Sequence, residues 1–291
     1  MASLVYYLTL PFIYLLAWLP FPILYAFSDV ACFILRDVFK YRKDVVMTNL
    51  RNSFPNKSDA EIKKIYKEFF SYLCDLILET IKTLTMTEKE ARARSVFQSP
   101  AWLDAYHEAH KSIIIVMGHY GNWEWGGPGF TLNSKYQLVV IYRPLSNPYF
   151  ERMMTRMRTK FGTKISPVNS TLRDMVNNRS QITATAFIAD QAASPETAYW
   201  TTFLHQETAV FVGPEKIAKK FNYPVVYMNV RRVKRGYYEV TPELMFDAPK
   251  DTAENEILEA FTRRLELEIQ KDPVVWLWSH KRWKHKRKEA S

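Results

Sequence analysis

Residues 111–117, KSIIIVM, run without a break into residues 118–125, GHYGNWEW. The first part is short, apolar and rich in β-branched side chains, which predicts a buried strand. The second part sets His119 between two glycines, offers Asn122 as a helix cap and puts Glu124 in the first turn of the helix that follows. Open α/β sheets bind ligands just beyond the carboxyl ends of their strands, so His119 is expected in a ligand-facing loop. Within one helix, side chains five residues apart lie about 140° apart and do not meet. A histidine in the preceding turn can reach Glu124. A carboxylate on one imidazole nitrogen fixes the tautomer and raises the basicity of the other, giving a general base for a hydroxyl or amine. The helix N-terminus also favours a carboxylate. His119 as base and Glu124 as its orienter are therefore the expected catalytic pair. Backbone N–H groups near Asn122 and Trp123, or an arginine, are the expected oxyanion donors.

Working outward, strands alternate with helices. The run 42–53 places Val45, Val46 and Leu50 at helical spacing, and Pro55 ends it. Ser58 with Glu61 forms a capping box that opens a helix carrying Ile62, Ile65, Phe69, Leu73, Leu76 and Ile77. Residues 137–142, 183–189 and 224–233 read as further strands. Residues 148–160, 214–221 and 253–270 read as helices, the first stopped by Gly162 and the second with proline in its first turn. The pattern predicts an α/β fold: a mixed, largely parallel central sheet flanked by helices.

The 291 residues are 47% hydrophobic, which excludes intrinsic disorder, and carry 40 Lys+Arg against 30 Asp+Glu, a net charge of +10. Only Cys32 and Cys74 are present, with no CxxC. That excludes a disulfide framework and a cysteine zinc module, and fits a reducing compartment. Leu4 to Ser28 is free of charge, and Asp29 is the one charged residue before Arg36. Such a run exceeds the roughly 20 residues of a membrane span. It lacks the basic start and small-residue cleavage site of a removable signal. Arg36, Lys40, Arg42 and Lys43 follow it and point to a cytoplasmic body. Pro11, Pro20 and Pro22 argue against one straight helix, so the anchor is expected either to span or to lie in the interface. The expected division is a membrane anchor over 1–35 and a catalytic domain over 36–291 with a basic tail. In that tail, Lys281, Arg282, Lys284, Lys286, Arg287 and Lys288 are interleaved with Trp276, Trp278 and Trp283. Basic and aromatic residues together suit an anionic lipid surface, where each cation contributes about 1 kcal/mol.

No G-x-S-x-G elbow, Walker A loop or H-E-x-x-H is present. His107-Glu108-Ala109-His110 has the wrong spacing for zinc and is expected on an exposed helix. With no metal set and no nucleophile, His119 and Glu124 imply direct transfer from an activated donor to a base-activated acceptor.

The GHYGNWE stretch is similar to that of the His-x4-Asp/Glu acyltransferases. Within that superfamily the chain resembles the lipid A biosynthesis (lauroyl/myristoyl) acyltransferase family. The resemblance covers nearly the whole length: the apolar N-terminus, Tyr41 to Pro55, Tyr142-Arg143-Pro144 with Asn147-Pro148, Arg156-Met157-Arg158, Asp190-Gln191, Phe203 to Gly213, and Trp278 to Trp283. It implies transfer of a fatty acyl chain from an acyl thioester to a hydroxyl of a lipid A precursor, a phosphorylated glucosamine disaccharide. The donor is acyl-carrier protein or coenzyme A, and no other cofactor is expected. It implies a place on the cytoplasmic face of the inner membrane, with the carrier protein, the glycolipid and anionic lipid as partners. The family arginine falls on Arg156 or Arg158, and its acidic residue on Asp190. Gln191-Ala192-Ala193 departs from the further acid and glycine that several members carry there. Arg143, Arg156 and Arg158 suit phosphate. With Asp190, Asn122 and Trp123 they complete the expected substrate-binding set. Two other readings are open: a glycerophospholipid or aminolipid acyltransferase with the same catalytic pair, and a membrane-tethered nucleic-acid-binding protein that uses the basic tail.

Overall fold

The computed structural model describes residues 2–287. Nine strands are β1 (Ser95–Phe97), β2 (Ile113–Met117), β3 (Gln137–Tyr142), β4 (Lys164–Pro167), β5 (Thr183–Ile188), β6 (Tyr199–Phe203), β7 (Gln206–Val210), β8 (Val225–Lys234) and β9 (Tyr237–Phe246). Seven of them form one sheet in the order β1-β9-β8-β2-β5-β3-β4, and β6 and β7 form a separate hairpin. Every neighbouring pair in the large sheet is parallel except β8 with β9. The expected mixed, largely parallel sheet is present.

The helices are α1 (Ala2–Trp18), α2 (Phe21–Phe33), α3 (Lys43–Ser53), α4 (Asp59–Lys82), α5 (Glu88–Arg94), α6 (Ala101–Glu108), α7 (Trp123–Asn133), α8 (Pro148–Thr159), α9 (Thr171–Asn177), α10 (Gly213–Phe221) and α11 (Glu256–Lys271). They cover both faces of the sheet. Ile114 and Val116 of β2 pack in one core with α3, α4 and α11 residues, and Ile113, Ile115 and Met117 pack in the other with α5, α6 and α7 residues. A strand buried on both sides has no polar positions, which explains the unbroken IIIVM run. The Ser58–Glu61 capping box forms as expected at the start of α4.

Of the two forms expected for the N-terminal anchor, the structure does not supply the spanning helix. The run breaks at Leu19–Pro20, where Pro20 is extended (φ −57°, ψ 146°) and lacks an N–H. Among the described residues, no helix is long and apolar enough to cross a membrane. The carbonyls freed at the break are satisfied from α4 and the turn after it. Lys82 Nζ donates to Ala17 O (3.0 Å) and Leu19 O (2.9 Å), and Thr85 also donates to Ala17 O. Ala17, Phe21, Leu24, Ser28 and Cys32 are buried. The opposite side of the two helices leaves Leu4, Leu8, Phe12, Leu15, Trp18, Ile23, Phe27, Val30 and Phe33 exposed.

The C-terminal reading is corrected too. Trp276 and Trp278 are buried in the core rather than displayed on a lipid-facing patch. Arg282 is buried and donates Nη1–H to Ala209 O (2.8 Å); burial pushes its guanidinium down to about 10. Trp283 donates its indole N–H to Thr208 Oγ1 (2.7 Å). Lys281, Lys284, Lys286 and Arg287 are exposed, and Lys288 lies outside the described residues.

Candidate active site

Strands β2 and β5 are parallel neighbours, with Met117 opposite Ile188. Two residues beyond that pair stand His119 and Asp190, so equal steps off adjacent strands bring them side by side. His119 Nδ1 lies 2.6 Å from Asp190 Oδ1. Asp190 Oδ2 accepts the backbone N–H of His119 (2.8 Å) and the indole N–H of Trp276 (2.8 Å). Asp190 is only 4% exposed. Burial works against its ionisation, but the neighbouring imidazole and these donors outweigh it and hold the carboxyl at about 2. An ionised carboxylate only accepts, so in the neutral form of the imidazole Nδ1 carries the proton and Nε2 keeps its lone pair. That nitrogen faces the exposed side chain of Gln191, whose amide nitrogen is 3.2 Å away. The Trp123 ring meets the imidazole edge-on at 4.9 Å and fixes its tilt.

Glu124 is elsewhere. Both oxygens take a bidentate pair from Arg158 of α8, Nε at 3.0 Å and Nη2 at 2.6 Å. Burial disfavours the Arg158 charge, but Glu124 outweighs it and raises its pKa above the usual range. The expected Glu124–His119 contact is thus corrected: both ring nitrogens of His119 have other partners. The cause is local. Asn122 is the cap, α7 begins at Trp123, and Glu124 leaves the first turn towards α8.

The remaining expected residues separate. Asn122 is fully buried; its Oδ1 accepts from Trp125 N (2.9 Å) and its Nδ2 donates to Glu79 Oε2 (2.7 Å). Its side chain is spent on capping α7 and on Glu79. Arg156 reaches Tyr14 of α1, Nη1 to the phenol oxygen at 3.2 Å, so it points away from Arg158. Arg143 is exposed in the loop after β3.

Sequence reading missed three supports. Glu79 of α4 is buried and accepts from Tyr25 (2.8 Å), Tyr238 (2.8 Å) and Asn122. Burial raises its pKa to about 7 against the pull of those donors. Trp276 fixes Asp190. His280 Nε2 accepts the backbone N–H of Ala192 (3.2 Å), and burial lowers its pKa to about 4. A signal did exist for the last two: both lie in or beside the Trp278–Trp283 motif, whose tryptophans were assigned to lipid. Glu79 had none, being one polar residue within an amphipathic helix.

Gly121 closes the loop with φ +58°, and a Cβ there would sit 1.8 Å from Val230 O. Only glycine fits this close approach of the loop to β8.

A sequence model of the bacterial lipid A biosynthesis acyltransferase family matches residues 2–285. Among characterised proteins, the chain is similar to the lipid A biosynthesis palmitoleoyltransferase of Escherichia coli (strain K12). They are 26% identical over 274 residues, covering 91% of this chain and 86% of the relative. It is similar to the same extent to a lipid A biosynthesis acyltransferase of Shigella flexneri.

Proposed function

Because the chain belongs to the bacterial lipid A biosynthesis acyltransferase family and is an acyltransferase, we propose that it moves a fatty acyl chain from an acyl-carrier-protein thioester to a hydroxyl of a lipid A precursor, with His119 as general base and Asp190 as its orienter. The observation that carries this reading is the dyad: a carboxylate on Nδ1 and a lone pair on Nε2, at the carboxyl end of the central strands. His119 Nε2 takes the hydroxyl proton as the oxygen attacks the thioester carbonyl. Asp190 stabilises the imidazolium formed, and the proton passes to the departing thiolate. First-turn N–H groups of α7 around Trp123 are suited to the oxyanion. Glu124 holds Arg158 beside them, and Arg143 and Arg156 are suited to the acceptor's phosphates. The exposed Lys281, Lys284 and Lys286 follow His280 closely and favour an acidic carrier protein as donor. The exposed apolar side of α1 and α2, followed by Lys40, Arg42 and Lys43, supports a seat in the cytoplasmic surface of the inner membrane, with the helices in the interface plane.

The test is incubation of the purified enzyme with a panel of acyl thioesters and acceptors, read by product mass. Transfer to a glucosamine disaccharide is expected, and His119→Ala should reduce it roughly 10²–10⁴-fold. Transfer to a lysophospholipid or an aminolipid alone would assign the other acceptor class. Full activity of folded His119→Ala would remove the base.

A further inference from the structure

The nitrogen that must receive the acceptor's proton is already occupied. Gln191 places its side-chain amide nitrogen 3.2 Å from His119 Nε2. An amide nitrogen only donates, and Nε2 only accepts in this tautomer, so the contact is a hydrogen bond onto the catalytic lone pair. The residues on both sides of Gln191 are anchored, Asp190 through its carboxylate and Ala192 through its backbone N–H. Asp190 before it is buried under three donors, and Ala192 after it donates to His280 Nε2. The Gln191 side chain alone is exposed. These contacts tie down the neighbours of Gln191, whereas its own side chain has solvent to turn into.

We propose that Gln191 is a positioning residue that gates His119: its amide masks Nε2 in the resting enzyme and yields only to the acceptor hydroxyl. The proposal rests on the reading of His119 as the base. The reaction it suppresses is hydrolysis. Without an acceptor, water loses a proton to Nε2 as its oxygen attacks the thioester carbonyl. The carbon–sulfur bond breaks, and the thiolate takes that proton from His119, leaving a fatty acid and a free thiol. A single water makes the same kind of bond to Nε2 as the amide does but has no further contacts to repay the displacement. A bound acceptor is held by the rest of its surface and displaces the amide at little cost.

Lauroyl-coenzyme A is the probe, with thiol release followed with and without a glucosamine disaccharide acceptor. Gln191→Ala and Gln191→Met are both compared with the wild type. Methionine keeps the length and loses the donor. Both variants are expected to raise the ratio of hydrolysis to transfer by roughly two- to tenfold, the scale of one net hydrogen bond. Diethyl pyrocarbonate, which attacks a neutral imidazole lone pair, should label His119 faster by a similar factor in both variants, read by peptide mass. An unchanged ratio and labelling rate in both would overturn the gate. A rise in Gln191→Ala but not in Gln191→Met would also overturn it, leaving a steric plug. His119→Ala separates the two levels: it should lose hydrolysis as well as transfer. Hydrolysis at the wild-type rate in that variant would sink the base itself and not merely the gate.

Discussion

At the residue scale, the carboxylate that serves His119 is a long-range neighbour. His119 and Glu124 were both visible in GHYGNWE, but their true partners, Asp190 and Arg158, were not. Distance along the chain says which side chains are able to meet, and strand register says which ones do. Asp190 was legible only through family resemblance, because its place beside His119 depends on β5 lying next to β2. The arrangement predicts a difference between the two carboxylates. Asp190→Asn should shift the imidazole proton from Nδ1 towards Nε2 and lower transfer by roughly 10²–10⁴-fold. Glu124→Gln should leave the tautomer unchanged. Nitrogen NMR of labelled histidine distinguishes them, and a tautomer change in Glu124→Gln would restore Glu124 as the orienter. The Glu124–Arg158 pair should appear instead in a double-mutant cycle. Each single change to glutamine is expected to cost about 1–3 kcal/mol, and the double change less than the sum.

At the element scale, legibility followed the local pattern and not the length of the segment. β2, β3 and the α4 capping box stand where periodicity and caps put them. β1 and β4 have too few residues to show a period, and β9 contains Pro242. Proline is tolerated there because β1 pairs only with Tyr238 to Val240, leaving β9 an edge from Thr241 onward. Gly121 in the loop after β2 gives an element-level prediction. Gly121→Ala should cost at least about 2 kcal/mol, from a left-handed backbone and a clash with Val230 O, and should lower the melting temperature by several degrees. The loop after β5 depends on pH through His280. Its folded pKa of about 4 lies below its ordinary value of 6.5. Between these values the unfolded chain binds a proton that the folded chain refuses, so this contribution to stability is present above pH 6.5 and is lost as pH falls towards 4. Melting temperatures measured across that interval should fall less steeply in His280→Gln than in the wild type.

At the scale of the whole molecule, composition located the apolar N-terminus and the basic C-terminus, but it left a spanning and an interfacial anchor undivided and misplaced the tryptophans of the tail. Pro20, already visible in the sequence, divides the first run, whereas nothing in hydropathy shows that Trp276 and Trp278 are packed inside. Leu8, Phe12 and Leu15 are about 60–70% exposed along one side of α1. Replacing all three with glutamate should reduce binding to anionic phospholipid vesicles by roughly 100-fold or more, measured by flotation, while circular dichroism stays unchanged. Undiminished binding would place the membrane contact elsewhere.

Glu79 bears on how the protein can be cut. Its carboxylate holds Tyr25 of α2, Tyr238 of β9 and Asn122 at the start of α7. Phe21 of α2 lies edge-on against Trp125 in the same core. Trimming the chain after Leu35 to obtain a detergent-free fragment would remove one donor from a buried carboxyl group and one wall from that core, directly behind the loop that carries His119. Preparations for crystallisation or inhibitor screening therefore need the greasy leader kept in place and its outward side made polar.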